Sequence, residues 1–376
     1  MEKQFDNLMR WVVHGQNFVN AYHSVKRNNG ALGVDGAKAE DLPQYLVHHW
    51  ERLKGELLSG DYRPQPVRGV KIPKSSGGTR QLGIPTVMDR LIQQAIHQVL
   101  SPKWELEFSS FSYGFRPKRS AQDALRQATE YINSGSQWLI DLDLKSFFDK
   151  VHHDKLMNLI SRKIGDKTLL KLIRKYLQSG MKEGEKVQRR LEGTPQGGPL
   201  SPLLSNILLN ELDEELEKRG HKFVRYADDC SIFLKSRRAA QRVQASITRF
   251  VENKLFLELN SEKTSICRLI KFVLLGHGFV ASYKKGDRGK YRLSIAKKSW
   301  QRLKGKIKII TRKTSPIPFV ERIERLNKLM VGWVNYFKHA TGFQKFRDLD
   351  SWIRCRLRYC IYERSGAQQK SSGRPF

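Results

Sequence analysis

The run KFVRYADDCSIFL, Lys222–Leu234, sets the tightest limit on what this chain can fold into. Apart from Lys222, Arg225 and Ser231 it is strand-forming material, yet Asp228 and Asp229 stand side by side in its middle. Burying even one unpaired carboxylate costs several kcal/mol. Successive strand residues point to opposite faces, so the two acids share one site only if the chain turns there. A hairpin tip between KFVRY and CSIFL supplies that turn. Taken alone, an Asp-Asp pair reads as an ordinary solvated turn.

A second stretch changes the balance. In LIDLDL, Leu139–Leu144, Asp141 and Asp143 fall on one face of a strand while Ile140, Leu142 and Leu144 fall on the other. Acids from two strands meeting at one place repel unless cations sit between them. Hard carboxylate oxygens with open positions suit Mg²⁺, which keeps waters and phosphate oxygens in its shell. Two such ions about 3.5–4 Å apart can activate an attacking hydroxyl and stabilise the leaving oxygen of a phosphoryl transfer. Strand geometry by itself does not decide between Asp141 and Asp143.

The charge balance points to the partner's chemistry. With 69 Lys and Arg against 37 Asp and Glu, the chain carries a net charge of +32, which argues for a polyanion, nucleic acid ahead of a membrane. A hydrophobic content of 39% describes a folded machine rather than a basic tail, and 376 residues suffice for two or three domains. No apolar run approaches the roughly 20 residues that span a bilayer, and MEKQFDNLMRW lacks the order of a signal peptide. A cytosolic location and no membrane partner are expected. Cys230, Cys267, Cys355 and Cys360 form no C-x-x-C pair and have no suitably spaced histidines, so they read as packing residues.

Residues 1–60 read as amphipathic helix interrupted by the turn-rich NNGALGVDG at 28–36. The loop PKSSGGTR at 73–80 precedes a helical stripe, Leu91, Ile92, Ala95, Ile96, Val99 and Leu100, that is ordinary core. SPLLSNILLNELDEELEKRG reads as a helix with Ser201 as cap, Pro202 at its first position, Leu204, Leu208, Leu212 and Leu216 inward, and Gly220 at its end. Strand–helix alternation with a hairpin gives an α+β core. Composition shifts near Gly278: Lys284–Lys313 holds thirteen Lys or Arg against the single acid Asp287. FVERIERLNKLMVGWVNYF then runs as a helix whose apolar face is Phe319, Ile323, Leu326, Met330, Trp333 and Phe337. The expected divisions are a helical extension over 1–60, an α+β body over 61–282, a basic helical domain over 283–362 and a disordered tail over 363–376.

Several of these segments resemble one family. YADD at Tyr226–Asp229, DLKSFFDKV from Asp143, GTPQGGPLSPLLSNI from Gly193, GIPTVMDR from Gly83, SYGFRPKRSAQDAL from Ser112, LELNSEKT from Leu257 and LLGHGF from Leu274 are similar to the reverse transcriptase blocks of bacterial group II intron-encoded proteins. LNKLMVGWVNYF, Leu326–Phe337, is similar to the maturase or thumb segment of that family. The resemblance implies a right-hand polymerase: fingers and a palm with an antiparallel sheet, then an α-helical thumb/maturase domain. It implies RNA-directed DNA polymerase activity by two-metal nucleotidyl transfer, together with intron RNA binding that assists splicing and mobility. Two Mg²⁺ ions, with Mn²⁺ as a substitute, would sit on Asp143 and Asp228, with Asp229 beside them and the Leu144 carbonyl completing the shell. The resemblance thus selects Asp143 over Asp141. The implied partners are intron RNA, an RNA template with a DNA primer, dNTPs and target DNA.

Other residues have physical sense in this setting. Lys74 and Arg80 flank a Gly-Gly loop that can fold over a triphosphate, Arg as a planar fork and Lys as a point charge. Gly197 and Gly198 let backbone approach a base pair, and Gln196 can reach the incoming sugar or base. Phe148 would sit against the sugar's 2′ carbon, where a ring leaves no room for a hydroxyl; a core aromatic is the competing role. Arg116 in GFRP, and Lys263 in NSEKT, would hold phosphate. His152 and His153 lack a ligand-spaced partner and read as a turn before a helix. In KKSWQRLKGKIK, Trp300, Leu303 and Ile307 recur at helical spacing, leaving Lys297, Lys298, Arg302 and Lys304 for nucleic acid.

Beyond SWIRCRLRYC, the polar ERSGAQQKSSGRPF departs from the basic, Trp-containing helix expected there. No nuclease domain with Cys pairs and His is visible, so insertion would use nicks or replication-fork primers. Two other readings compete: a domesticated reverse transcriptase serving DNA repair or phage defence, and a non-catalytic RNA-binding splicing factor. Intact YADD, DLKSFFD and PQGG argue against the last.

Overall fold

The hairpin expected at the adjacent aspartates is present in the computed structural model, which describes residues 6–371 apart from 74–76, 283–285 and 288, without the side chains of 343 and 361–371. Lys222–Tyr226 pairs antiparallel with Asp229–Leu234, Tyr226 opposite Asp229. Phe223, Val224, Ile232 and Phe233 are buried, and since successive strand residues point to opposite faces, the hairpin is covered on both sides. The hairpin is one side of a four-stranded sheet ordered Lys222–Tyr226, Asp229–Leu234, Trp138–Leu142, Ser265–Arg268. The two carboxylate-bearing strands are therefore direct neighbours.

The chain divides into two compact units, Met1–Ser120 with Ile140–Ile266, and Ala121–Leu139 with Cys267–Phe376. In the first, helices Gly15–Asn28 and Leu42–Ser59 precede a hairpin of Val67–Pro73 and Thr79–Ile84, whose sheet is extended by Met181–Glu183 and Lys186–Gln188. Helix Val87–Glu105 starts at Thr86, whose hydroxyl oxygen accepts the Asp89 amide. The Asp89 carboxylate in turn accepts from the hydroxyls of Thr86 at 2.7 Å, Tyr62 at 2.9 Å and Tyr176 at 3.2 Å, and from the Gln65 amide at 3.1 Å. Burial pushes this carboxyl up, and the four donors oppose that shift.

Helix Ser201–Lys218 buries Leu204, Leu208, Leu212 and Leu216 as its spacing predicts. Its start differs from expectation. The backbone is already helical at Leu200, so Ser201 lies inside the first turn and its hydroxyl donates to the Pro195 carbonyl at 2.7 Å instead of capping. His152 does cap helix His153–Ser161, and buried His153 lies 2.8 Å from the Gly193 carbonyl through Nε2; both histidines are structural.

The second unit is not a simple C-terminal segment after residue 283. Helix Ala121–Asn133 belongs to it because Asn133 exchanges two hydrogen bonds with the Tyr291 backbone, at 2.7 and 3.3 Å, on the edge strand Tyr291–Ile295. Strands His277–Ala281 and Val273–Leu274 complete that three-stranded sheet. Helices Lys297–Ile310, Phe319–Phe337 and Phe343–Ser371 follow, sharing a core of Leu303, Ile307, Leu326, Leu349 and Ile353 flanked by Trp300, Trp333 and Trp352. The last helix continues to Ser371, through residues where polar composition leads one to expect disorder. Among the described residues no helix is long and apolar enough to cross a membrane.

Candidate active site

The turn that joins the hairpin strands consists of Ala227 and Asp228. Ala227 has φ 59°, a left-handed conformation that a side chain disfavours and that persists where its surroundings impose it. This turn lets Asp228 leave the hairpin end while Asp229 starts the next strand, which resolves the facing problem of adjacent strand residues.

Asp141 lies in the neighbouring strand and Asp143 just beyond its end. The Asp143 backbone is held by the Asn260 amide, 2.8 Å from its carbonyl, and by Thr264 Oγ1, 3.2 Å from its own amide. An isolated bridge pairs Leu144 with Leu259, and neither of its bonds, Asn260 to Asp143 and Lys145 to Glu258, uses the Leu144 carbonyl. Two of the four acids carry the effect of their neighbours. The Asp229 carboxyl is pushed up to about 6 by burial, then by Asp228, Asp141 and Asp143, with Lys263 opposing. Asp229 as a residue is exposed, yet its carboxyl stands among like charges. Asp141 is raised by burial and by Asp143, against a weak 3.5 Å contact from the Ser231 hydroxyl.

The donor set fits hard divalent cations: carboxylates on adjacent strands, mutually repelling, with an ammonium already drawn in. Lys263 Nζ lies 3.2 and 3.4 Å from the two Asp143 oxygens. Among the described residues no three His, Cys, Asp or Glu side chains are placed closely enough to hold a metal ion as they stand. Lys263, expected on phosphate, lies here as the counter-ion of Asp143, because clustered carboxylates attract a nearby cation.

A cavity of about 580 Å³ is lined by Arg80, Arg90, Phe115, Phe148, Gln196 and Gly197, among others. Phe148 faces it half-buried while its neighbour Phe147, 2% exposed, takes the core position, so the two aromatic roles are divided between adjacent residues. Gly198 is also a lining residue. A Cβ there would meet Gln93 Oε1 at 2.3 Å, and one on Gly197, whose φ is 138°, would meet the Gly83 carbonyl at 2.8 Å. Gly197 is needed to seat the loop on the Gly83 backbone, and Gly198 lies tight against the Gln93 side chain. Lys74 lies outside the described residues.

Arg116 corrects a second expectation. Its side chain is 2% exposed and forks onto Glu105, with further bonds to the carbonyls of Ser109 at 2.5 Å and Ser112 at 2.8 Å. Its donors are engaged inside the protein, so it is a structural clamp and not a phosphate ligand. Sequence reasoning missed Arg90, which sits in a helix read as ordinary core. The residue is 9% exposed and its Nε has no hydrogen-bond partner. A charged residue within an apolar stripe was the available signal. On helix Lys297–Ile310, Lys297, Lys298, Arg302 and Lys304 are all exposed, whereas Leu303 and Ile307 are buried. Lys304 Nζ lies 5.8 Å from the centre of the Trp352 ring.

Comparison with known proteins gives this geometry a family. The reverse transcriptase (RNA-dependent DNA polymerase) pattern matches residues 72–279, more than half of the chain, which therefore belongs to that family. The group II intron, maturase-specific domain matches residues 300–374, through the polar tail, and marks the group II intron type of reverse transcriptase/maturase. The chain is similar to Protein YkfC of Escherichia coli (strain K12), 38% identical over 182 residues, 47% of this chain and 48% of that protein. It is also similar to group II intron-encoded protein LtrA of Lactococcus lactis subsp. cremoris, 33% identical over 180 residues, 48% of this chain and 30% of that protein. It therefore spans less than half the length of either curated relative. A solved partial Cas6-RT-Cas1–Cas2 complex aligns with a TM-score of 0.42 at 23% identity, over 65% of this chain and 42% of that one.

The raised Asp229 carboxyl has a pH signature. It stays protonated in the folded state where the unfolded chain is ionised, so stability from this group is fullest below about pH 4 and is lost as pH rises to about 6. A divalent cation favours the ionised cluster, so Mn²⁺ affinity, measured by electron paramagnetic resonance, should climb as pH passes from 5 to 7. Asp229→Asn should flatten that climb, and an unchanged profile would remove Asp229 from the cluster that responds to the cation.

Proposed function

We propose that the chain copies RNA into DNA, extending a DNA primer on an RNA template, and that it binds intron RNA to assist splicing and mobility. The observation that carries the first part is the convergence of acids from two adjacent strands at a strained turn. The polymerase-family match and the cavity bearing Phe148, Gln196 and Arg80 support the same reading. The maturase-specific match and the exposed cations of helix Lys297–Ile310 support the second part.

Asp143 and Asp228 would hold two Mg²⁺ ions, or Mn²⁺, with Asp229 beside them and the Leu144 carbonyl as a further oxygen ligand. Bound there, the ions supply activation of the primer hydroxyl and stabilisation of the leaving pyrophosphate. The chain's own groups do the rest. Arg80, with Lys74, holds the triphosphate of an incoming dNTP; Gln196 contacts its sugar or base; Phe148 excludes a 2′ hydroxyl by volume. Lys263 screens Asp143 before cations arrive and is then free to turn to phosphate. Target DNA is a further partner, and the cytosol, where dNTPs and transcripts occur together, is the place of action.

Asp228→Asn should abolish primer extension with either Mg²⁺ or Mn²⁺ while leaving the melting temperature near wild type, because removing one acid from a like-charged cluster relieves repulsion. Substantial extension by this variant would sink the assignment. Phe148→Ala should raise ribonucleotide incorporation relative to deoxyribonucleotide in single-addition assays. Equal loss with both nucleotides would make Phe148 a packing residue. For the basic helix, replacing Lys297, Lys298 and Lys304 with Gln should weaken RNA binding and flatten the log-log salt slope by about 2 if all three touch phosphate. A slope equal to wild type would mean that these lysines are solvated and that RNA binds elsewhere.

A further inference from the structure

We infer that Asn206, Asp213 and Arg225, with Gly114, form a buried cradle behind the hairpin that positions the Asp228 carboxylate for cation binding. The inference rests on the reading of Asp228 as a metal ligand. Arg225 and Asp213 are fully buried, 0% exposed at both side chains. Asp213 accepts from Arg225 Nε at 2.7 Å and Nη2 at 2.5 Å. Nη1 donates at 2.9 Å both to Asn206 Oδ1 and to the carbonyl of Ala227. Asn206 Nδ2 donates onward to the Gly114 carbonyl at 2.9 Å.

Gly114 completes the enclosure. A Cβ built on it would lie 2.2 Å from the Ala227 amide nitrogen, so its backbone rests directly against the turn. The Arg225 backbone is clamped on the same side: its amide donates to the Phe111 carbonyl and its carbonyl accepts from the Tyr113 amide, both at 2.9 Å.

This arrangement does something that apolar packing could not. A buried ion pair contributes little to stability beyond what well-packed hydrophobic residues give in its place. A guanidinium, however, can donate to a specific carbonyl. The carbonyl it grips belongs to the peptide linking Ala227 to Asp228, in a residue whose φ of 59° needs external support. Fixing that peptide plane fixes the direction in which Asp228 leaves the hairpin. None of the four cradle residues touches the reacting atoms, so they are positioning residues. Groups that orient ligand side chains this way typically change metal affinity by about 10- to 100-fold when replaced.

The test uses the full chain with Asn206→Ala, Gly114→Ala and Asp213→Asn, and Asp228→Asn as control. Circular dichroism and melting establish which variants fold. Mn²⁺ affinity without nucleotide, by electron paramagnetic resonance, and the Mg²⁺ dependence of primer extension are then read. Asn206→Ala leaves the ion pair intact and should fold, whereas the Gly114→Ala methyl overlaps the Ala227 backbone and must displace the turn, so it is read only if melting shows that it folds. Asn206→Ala, and Gly114→Ala where folded, should bind Mn²⁺ about 10-fold or more weakly and need correspondingly more Mg²⁺, with KM for primer-template unchanged. Wild-type Mn²⁺ affinity in these folded variants would overturn the proposal. So would loss of folding in all three variants, which would assign the cluster to the core alone. Wild-type Mn²⁺ affinity in Asp228→Asn would instead show that the metal-ligand reading had failed.

Discussion

Repulsion among Asp141, Asp143, Asp228 and Asp229 is the constraint around which the first unit is organised. Burial, and after it the neighbouring carboxylates, raise the proton affinity of Asp141 and Asp229. The fold tolerates this by placing the acids at a strand end and a turn, where solvent still reaches them. It also brings Lys263 onto Asp143 from the loop after the helix Arg237–Leu255. A folded protein has no reason internal to its stability to keep such a cluster. Under the function proposed above, a divalent cation would balance this charge.

Supporting an acidic turn calls for rigid hydrogen bonding beneath it, and three buried arginines show how this chain obtains rigidity. Arg116 joins Glu105 to the carbonyls of Ser109 and Ser112. Arg225 joins Asp213, Asn206 and Ala227. Arg322 gathers the carbonyls of Arg312, Ser315 and Ile317 before helix Phe319–Phe337. A planar guanidinium with five donors can satisfy several loop carbonyls at once, which lysine cannot. Removing one partner of a buried pair leaves an uncompensated charge and costs about 3–5 kcal/mol. These arginines therefore fix loops against helices rather than serving the polyanion suggested by net charge.

That division explains what the sequence could and could not disclose. The hairpin at Asp228, the helix Phe319–Phe337 and the inward leucines of helix Ser201–Lys218 were legible because period-2 and period-3.6 patterns depend on local residues alone. Phe148 was ambiguous between cavity and core because two adjacent phenylalanines carry no directional mark until the short helix Phe147–Lys150 assigns them opposite sides. Arg116 was misplaced and Arg90 missed for one reason: a cation's role depends on its neighbours in space. The Glu105 clamp on Arg116, the Asp143 partner of Lys263 and the unpartnered Nε of buried Arg90 appear only once the chain is folded. The unit boundary was hidden likewise, since Asn133 and Tyr291 are far apart in the chain.

The exposed lysines of helix Lys297–Ile310 present the opposite imbalance. Six Lys or Arg and no acid occupy that helix, with like charges four residues apart at Lys298/Arg302, Arg302/Lys306 and Lys304/Lys308. Each such pair costs about 0.2–0.5 kcal/mol, so together they subtract on the order of 1 kcal/mol. Burying Leu303 and Ile307 contributes about 1.5–3 kcal/mol each, which decides the matter in favour of the helix. The charge is therefore tolerated by the fold without being required by it, as at the aspartates. Both features suit the function proposed above: gathered carboxylates would take divalent metal, and an exposed row of lysines would take the phosphates of RNA.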